Sequence, residues 1–332
     1  MRPLIFLFPH DRMDIGGNSA QVRFMKACGR FTRAEAAFYG EPVQEQPDLE
    51  QILSDCRSLE AAHQPIFIIH WGPDVARLLS RLTGYDVVYV AHSTGWGFTP
   101  PAHVPILCVS RHTMAYWGRH APNSYIALTP NVVSTVGHAS QEARDIDVLV
   151  QTRKSSHYLL HRLVPALRTH CRVQLLDGWV DDLGGWFERS KVYLYDSVEH
   201  WIDVGATEGF GLPPLEAMGR GCVVFSSVND ALADYCDPGV NCRKLRVHSL
   251  AWDKNAILRA VAERVPSPLP TQLFEAYSEN AIAARLETQL AEIERFFAAT
   301  SHTSTDIDDL WKARRPGVLQ RAKRAAKLLA GV

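Results

Sequence analysis

Thr207-Glu208-Gly209-Phe210-Gly211-Leu212-Pro213-Pro214-Leu215-Glu216-Ala217-Met218-Gly219-Arg220-Gly221 decides how this chain is read, because two carboxylates eight positions apart bracket a glycine turn and a proline-started helix. Gly209 and Gly211 let the backbone approach a ligand closely, and Pro213 or Pro214 suits a first helical turn, where a missing N–H costs little. Backbone N–H groups at such a turn point toward an anion. Glu208 precedes the turn and Glu216 lies one turn into the helix, so both side chains can face one cleft from two levels and accept hydrogen bonds from hydroxyl groups. An acidic residue favoured by the helix dipole would account for either carboxylate alone. It does not account for both, in register with two turn glycines and paired prolines.

The apolar run Cys222-Val223-Val224-Phe225 follows directly and reads as a short buried strand, making the unit helix, tight turn, parallel strand. Outward from it, strand-like runs alternate with helical patterns along most of the chain, the signature of parallel sheets flanked by helices. The first half offers strands at Leu4 to Phe8, Ile66 to Ile69, Val87 to Val90, Ile106 to Val109 and Tyr125 to Leu128. Helical stretches are expected at Ser19 to Cys28, Leu49 to Ala62, Asp74 to Leu82 and Ser110 to Trp117. The apolar pattern lapses between Ser134 and Arg144, where a linker is expected. A second series has strands at Asp147 to Val150, Val173 to Leu176 and Val192 to Tyr195, with helices at His157 to Thr169 and Leu183 to Arg189, and then reaches the glutamate unit. From Leu250 to Phe297 the pattern is helical, broken at Pro266, Pro268 and Pro270, and the last helix is expected from Thr271 to Ala298. Two doubly wound halves place a ligand at the carboxyl ends of their strands.

The composition fits a two-domain enzyme. A chain of 332 residues with 46% apolar residues and a formal net charge of -1 is neither disordered nor a general polyanion binder, so no nucleic-acid partner is expected. The seven cysteines are scattered without a Cys-x-x-Cys pair or zinc-like histidine spacing, as befits reduced, buried thiols. The opening Leu4-Ile5-Phe6-Leu7-Phe8 is too short for a signal segment and is cut by Pro9-His10-Asp11-Arg12. No run approaches the apolar length of a membrane span, so a cytoplasmic protein is expected, either soluble or peripheral to the inner membrane face. The tail differs in kind. Trp311 to Val332 carries Lys312, Arg314, Arg315, Arg321, Lys323, Arg324 and Lys327 without an acidic residue, a pattern for a basic helix on an anionic membrane surface or for a solvated tail.

The segment Glu208 to Glu216 resembles the Glu-x7-Glu signature of retaining GT-B glycosyltransferases of the glycosyltransferase group 1 family. The match is specific over about fifteen residues, and the order of elements agrees over most of residues 1 to 300. The resemblance implies GT-B architecture: two facing Rossmann-like doubly wound domains, residues 1–138 and 139–300, the latter ending in a helix that returns to the first domain, followed by a basic helical tail, 301–332. It implies that Glu208 contacts the donor sugar and Glu216 the ribose, with Gly209, Phe210, Gly211 and Leu212 along the sugar and phosphates. Gly16 and Gly17, in Asp14-Ile15-Gly16-Gly17-Asn18-Ser19, match the family's glycine pair near the phosphates and acceptor, although a plain strand-to-helix turn has the same look. His92, at the end of its strand, matches a histidine that meets the sugar or orients the acceptor; His70 is a similar strand-end residue. Trp71, Trp96 and Phe98 offer an apolar platform or ordinary packing. Val109-Ser110 and Thr129-Pro130-Asn131-Val132-Val133 also match, and serve as an N-cap and a boundary turn.

Arg153 and Lys154 follow the first strand of the second half, where two cations can neutralise a departing diphosphate. Their adjacency departs from the family pattern, which separates arginine and lysine; Arg162 is the alternative for the lysine. Asp177-Gly178-Trp179-Val180 resembles the segment before the base-contacting region, and Glu199 and Asp203 are expected in a loop upstream of Glu208. The activity implied is transfer of a sugar from a nucleotide-diphosphate sugar to a hydroxyl of a glycan or lipid-linked acceptor, with retention and with no metal expected. A nucleotide-sugar-binding subunit without turnover and a nucleotide-sugar epimerase on the same fold are the rival readings.

Overall fold

Two separate parallel sheets, of six and five strands, account for the strands found among the described residues. The computed structural model describes residues 1–12, 16–40, 47–70, 72–133, 144–263, 271–300 and 304–307. The first sheet contains β1 (Leu4–Phe8), β2 (Ala34–Phe38), β3 (Ile66–Ile69), β4 (Val87–Ala91), β5 (Ile106–Cys108) and β6 (Ile126–Leu128), in the order β2-β1-β3-β4-β5-β6. Its helices are α1 (Gly16–Cys28), α2 (Leu49–Cys56), α3 (Val75–Arg81) and α4 (Arg111–His120). The second sheet contains β7 (Ile146–Gln151), β8 (Val173–Leu176), β9 (Ser190–Tyr195), β10 (Val223–Ser226) and β11 (Arg243–Lys244), in the order β11-β10-β9-β7-β8. With it go α5 (Val164–Arg168), α6 (Leu183–Glu188), α7 (Val198–Val204), α8 (Leu212–Gly219) and α9 (Leu250–Glu263), and the chain continues into α10 (Thr271–Glu275) and α11 (Glu279–Thr300).

The two sheets share one topology. In each, the first strand lies between the second and the third, so the order reverses between β1 and β3 and again between β7 and β9. Such a reversal leaves a crevice beyond the carboxyl ends of the strands, because the flanking connections leave in opposite directions. Both switch points open into one cleft, since the segments after β1, β3, β4, β7 and β9 all line it.

The strands β1, β3 and β4 at the centre of the first sheet are apolar throughout and buried at every residue, because both of their faces are covered. On β1, Leu4, Phe6 and Phe8 join the core that continues into the second half, whereas Ile5 and Leu7 face the outer layer with Leu49, Leu53 and Leu78. Tyr193 and Val224 likewise face inward while Val192, Val223 and Phe225 pack outward with Ile257. The central cluster is thus shared by both sheets, and α11 contributes Ile282, Leu286, Leu290, Ile293 and Phe297 to it at helical spacing.

The last helix, α11, meets residues of the first half. On α11, Gln289 donates to the Leu128 carbonyl at 2.9 Å, Glu294 accepts from the Arg2 amide at 2.5 Å, and Asn280 meets Arg30 at 2.6 Å. It is shorter than expected: the run from Thr271 to Ala298 is interrupted at Ala276-Tyr277-Ser278, where Ser278 accepts from the Ala281 amide and the Tyr277 carbonyl is taken by the Val133 amide. The stretch Leu49 to Ala62 also ends early, at Cys56. The Val198–Val204 helix replaces the expected loop around Glu199 and Asp203, closed by Gly205 in the left-handed region. The edge strand β2 is weakly apolar and escaped the pattern. The expected linker core, 134–143, the Pro266, Pro268 and Pro270 breaks, and the basic tail from 308 lie outside the described residues.

Candidate active site

A cleft of about 690 Å³ lies between the two sheets and is walled by Gly16, Gly17, His92, Arg153, Lys154, Glu208 and Glu216 among others. One wall comes from α1 and the segments after β3 and β4, the other from the segments after β7, β8 and β9 and the start of α8.

Glu208 is 4% exposed, so its carboxylate needs partners. Oε2 accepts from the Tyr195 hydroxyl at 2.5 Å and from Trp201 Nε1 at 2.9 Å. Lys154 Nζ stands 3.7 Å from Oε1 and 4.3 Å from the centroid of the Trp201 ring. The backbone is fixed as well, with the Glu208 amide donating to Asp230 Oδ2 at 3.0 Å and its carbonyl accepting from Ala231. Burial and the nearby Glu208 carboxylate push the Tyr195 hydroxyl far above the ordinary tyrosine range, so it stays a donor. Lys154 has a φ of 65°, unusual for a residue with a Cβ, in the Thr152–Ser155 turn that ends β7. Such backbone strain is characteristic of functional positions. Arg153 is exposed beside it and lines the same wall, while Arg162 is exposed and does not line the cleft. His200, also on this wall, is held below its ordinary pKa by burial and then by the Lys154 charge.

The glycine turn is built for close approach. Gly211 has a φ of 75°, and the Tyr235 hydroxyl donates to its carbonyl. A Cβ on Gly209 would run into the His92 carbonyl oxygen across the cleft, so only glycine fits there. The Phe210 side chain turns away, packing on Tyr235 and Tyr277 with centroids 5.7 and 5.5 Å apart. The N–H groups of Gly209, Phe210 and Gly211 meet no acceptor among the described residues. Because Pro213 and Pro214 lack N–H groups, the donors available to an anion here come from the turn before the helix.

On the opposite wall Gly16 and Gly17 form the first residues of α1, and Gly16, Ser19, Ala20 and Arg23 share its cleft face at helical spacing. The other face buries Asn18 and Gln21 completely. Asn18 Oδ1 lies 3.1 Å from His70 Nε2, and Gln21 Oε1 lies 2.8 Å from His92 Nε2. Desolvation lowers the His92 pKa to about 4 and holds His70 well below the ordinary range, so both rings are neutral near pH 7. Arg23 Nη1 reaches across the cleft to Glu216 Oε1 at 2.9 Å and donates to the Val132 carbonyl at 3.2 Å. A second bond between the walls joins Thr94 and Thr207 at 2.8 Å.

Of the residues singled out from the sequence for catalysis or donor binding, Gly16, Gly17, His92, Arg153, Lys154, Glu208 to Leu212 and Glu216 line this one cleft, and the alternative Arg162 does not. Trp96 lines it too, Trp71 lies outside the described residues, and Phe98 packs on Tyr89 and Trp117 instead, because the chain after Gly97 turns back over the outer layer. Gly178 to Gly184 adds Trp179, held by Asp181 at 3.0 Å. Glu199 and Asp203 do not line it; Glu199 pairs with Arg246 at 3.6 Å. The Asp145-Ile146-Asp147 pair is spent on Arg189 and Lys191 at 2.6 and 2.5 Å, and no metal-holding group of three histidine, cysteine or acidic residues occurs among the described residues. Sequence reasoning missed Arg23, Gln21, Tyr195, Trp201 and His200. For Arg23 a signal existed, since it falls three and four residues after Ala20 and Ser19 on the face that begins with Gly16.

The architecture is GT-B. No family model matches the chain, and no curated protein matches it in sequence. Among solved structures, HepE from Anabaena in complex with UDP and glucose is similar with a TM-score of 0.62 at 12% identity, over 88% of this chain and 100% of that one. Sucrose-phosphate synthase from Thermosynechococcus elongatus is similar with a TM-score of 0.60 at 15% identity, over 90% of this chain and 100% of that one. The pneumococcal O-GlcNAc transferase GtfA, in complex with UDP and GlcNAc, gives a TM-score of 0.54 at 13% identity over 75% of this chain; the chain spans 61% of the length of GtfA. At such identities the likeness is one of fold.

Proposed function

We propose that this chain is a retaining glycosyltransferase of the group 1 type, moving a sugar from a nucleotide-diphosphate sugar to a hydroxyl of a glycan or lipid-linked acceptor. The observation that carries the reading is the joint presence in one cleft of Glu208, Glu216 and Lys154, with unsatisfied N–H groups in the turn between the carboxylates. The UDP found with HepE and GtfA supports a nucleoside diphosphate as the leaving group.

In this scheme the bond from the anomeric carbon to the diphosphate breaks as the bond to the acceptor oxygen forms on the same face of the sugar. The proton of the acceptor hydroxyl passes to the departing phosphate. Arg153, Lys154 and the Gly209–Gly211 amides stabilise the charge that develops there. Glu208 holds sugar hydroxyls and Glu216 the ribose. His92, neutral, contacts the sugar or orients the acceptor, and Gly16 and Gly17 admit phosphates and acceptor to the opposite wall. Residues 1–138 form the acceptor-side domain and 139–300 the donor domain. The 301–332 tail is assigned to an anionic membrane surface at the cytoplasmic face.

A panel of nucleotide sugars, assayed for binding, for hydrolysis and for transfer to simple glycosides, tests the reading. Binding together with release of nucleoside diphosphate supports it. Binding without turnover makes the chain a sugar-nucleotide-binding subunit, and a new sugar nucleotide formed from donor alone makes it an epimerase.

A further inference from the structure

Glu216 is the carboxylate assigned to the ribose, yet in this structure it is engaged by a residue of the opposite half. Arg23 Nη1 lies 2.9 Å from Oε1, and the same nitrogen is anchored at 3.2 Å on the Val132 carbonyl, where the chain leaves the first sheet. The Glu216 side chain is 11% exposed and that of Arg23 is 34% exposed, so the pair sits at the cleft wall rather than in the core. The second oxygen, Oε2, meets no partner among the described residues and is not among the atoms sealed from solvent. Oε2 is therefore the oxygen left to accept from a ligand. A glutamate on a helix has three side-chain torsions, and a fixed guanidinium on one oxygen removes most of that freedom.

Resting on the nucleotide-sugar reading, we infer that Arg23 is a positioning residue that aims Glu216 at the ribose hydroxyls, so that recognition of the ribose depends on the first half closing on the second. Arg23 belongs to the half that otherwise faces the acceptor, so the donor clamp is complete only when both halves meet. The Thr94–Thr207 bond and the fit of Gly209 on the His92 carbonyl hold the same closed arrangement. A simple latch would behave differently, because weakening closure lowers the affinity of every nucleotide alike. Aiming a carboxylate changes the value of the ribose hydroxyls alone.

The experiment compares calorimetric affinities of whichever of UDP, GDP, ADP and CDP binds the full chain best with those of its 2′,3′-dideoxy counterpart. Wild type is expected to prefer the ribose form by about tenfold or more, as hydrogen bonds to a charged group imply. Arg23→Met is expected to bring the two within about threefold, as Glu216→Gln does, and Arg23→Lys is expected to restore part of the preference. A preference unchanged in Arg23→Met, with wild type still discriminating, overturns the inference and leaves the nucleotide reading standing. A wild-type chain that binds none of the four overturns the reading and the inference together.

Discussion

Tyr195 offers the sharpest test of how the site is held. Its hydroxyl donates to Glu208 Oε2 at 2.5 Å, in the buried wall at the end of β9, and Trp201 supplies the only other neutral donor to that oxygen among the described residues. Tyr195→Phe removes one oxygen and leaves the ring packing. A hydrogen bond to a charged group is worth about 1.5–3 kcal/mol, and the lost burial of a phenol offsets part of that, so a net loss of about 2 kcal/mol is expected. At roughly 2–4 °C per kcal/mol, the melting midpoint falls by about 4–8 °C. Trp201→Phe removes the second bond and weakens the Lys154 contact over the ring. In a double-mutant cycle with Glu208→Gln, Tyr195→Phe is expected to couple by about 1 kcal/mol or more, because the two groups share one bond. The assay is thermal unfolding of the four proteins at pH 7, with donor turnover measured in parallel. A Tyr195→Phe protein within 0.5 kcal/mol of wild type (about the noise of surface substitutions) and with full turnover would refute the anchoring role.

Gly209→Ala places a methyl group against the His92 carbonyl oxygen, so the walls must part at a cost of about 1–3 kcal/mol, and nucleotide affinity falls while circular dichroism keeps the native spectrum. Lys154→Met is expected to weaken nucleoside diphosphate binding by about tenfold and to leave nucleoside binding unchanged, which calorimetry at two salt concentrations checks. His92 is depressed from 6.5 to about 4 in the folded chain, so below pH 6.5 the unfolded state binds the proton first and stability falls until about pH 4. At about 1.4 kcal/mol per unit the loss is roughly 3 kcal/mol, and denaturant titrations of His92→Asn should show a flatter profile over that window.

The sequence made the doubly wound halves and the Glu208–Glu216 wall of the cleft readable because both depend on local signals. Fully buried parallel strands such as Leu4–Phe8 and the Val223-Val224-Phe225 run of β10 are apolar without interruption, and the Glu208–Glu216 unit carries its glycines and prolines in one register. What escaped was set by contacts between distant segments. β2, with Ala34, Glu35 and Ala36, is a strand because it pairs with β1, not because of its own pattern. The Arg23–Glu216 pair joins residues 193 positions apart, and nothing in α1 announces it beyond a shared helix face. Phe98 and Trp96 look alike in sequence, but only the fold decides which one meets the cleft. The adjacency of Arg153 and Lys154 looked like a departure from a spaced pair, and the φ of 65° at Lys154 shows how the turn gives the lysine its own direction toward Glu208.

The most direct test of the central claim is the anomeric configuration of the product, followed by proton NMR for wild type and Glu208→Gln with the nucleotide sugar that the chain turns over. Retained configuration is expected, with turnover lowered by about a hundredfold or more in Glu208→Gln, as for removal of a group that acts in the transition state. Inverted product, or full turnover in Glu208→Gln, would contradict the assignment of the two-carboxylate cleft as a retaining donor site.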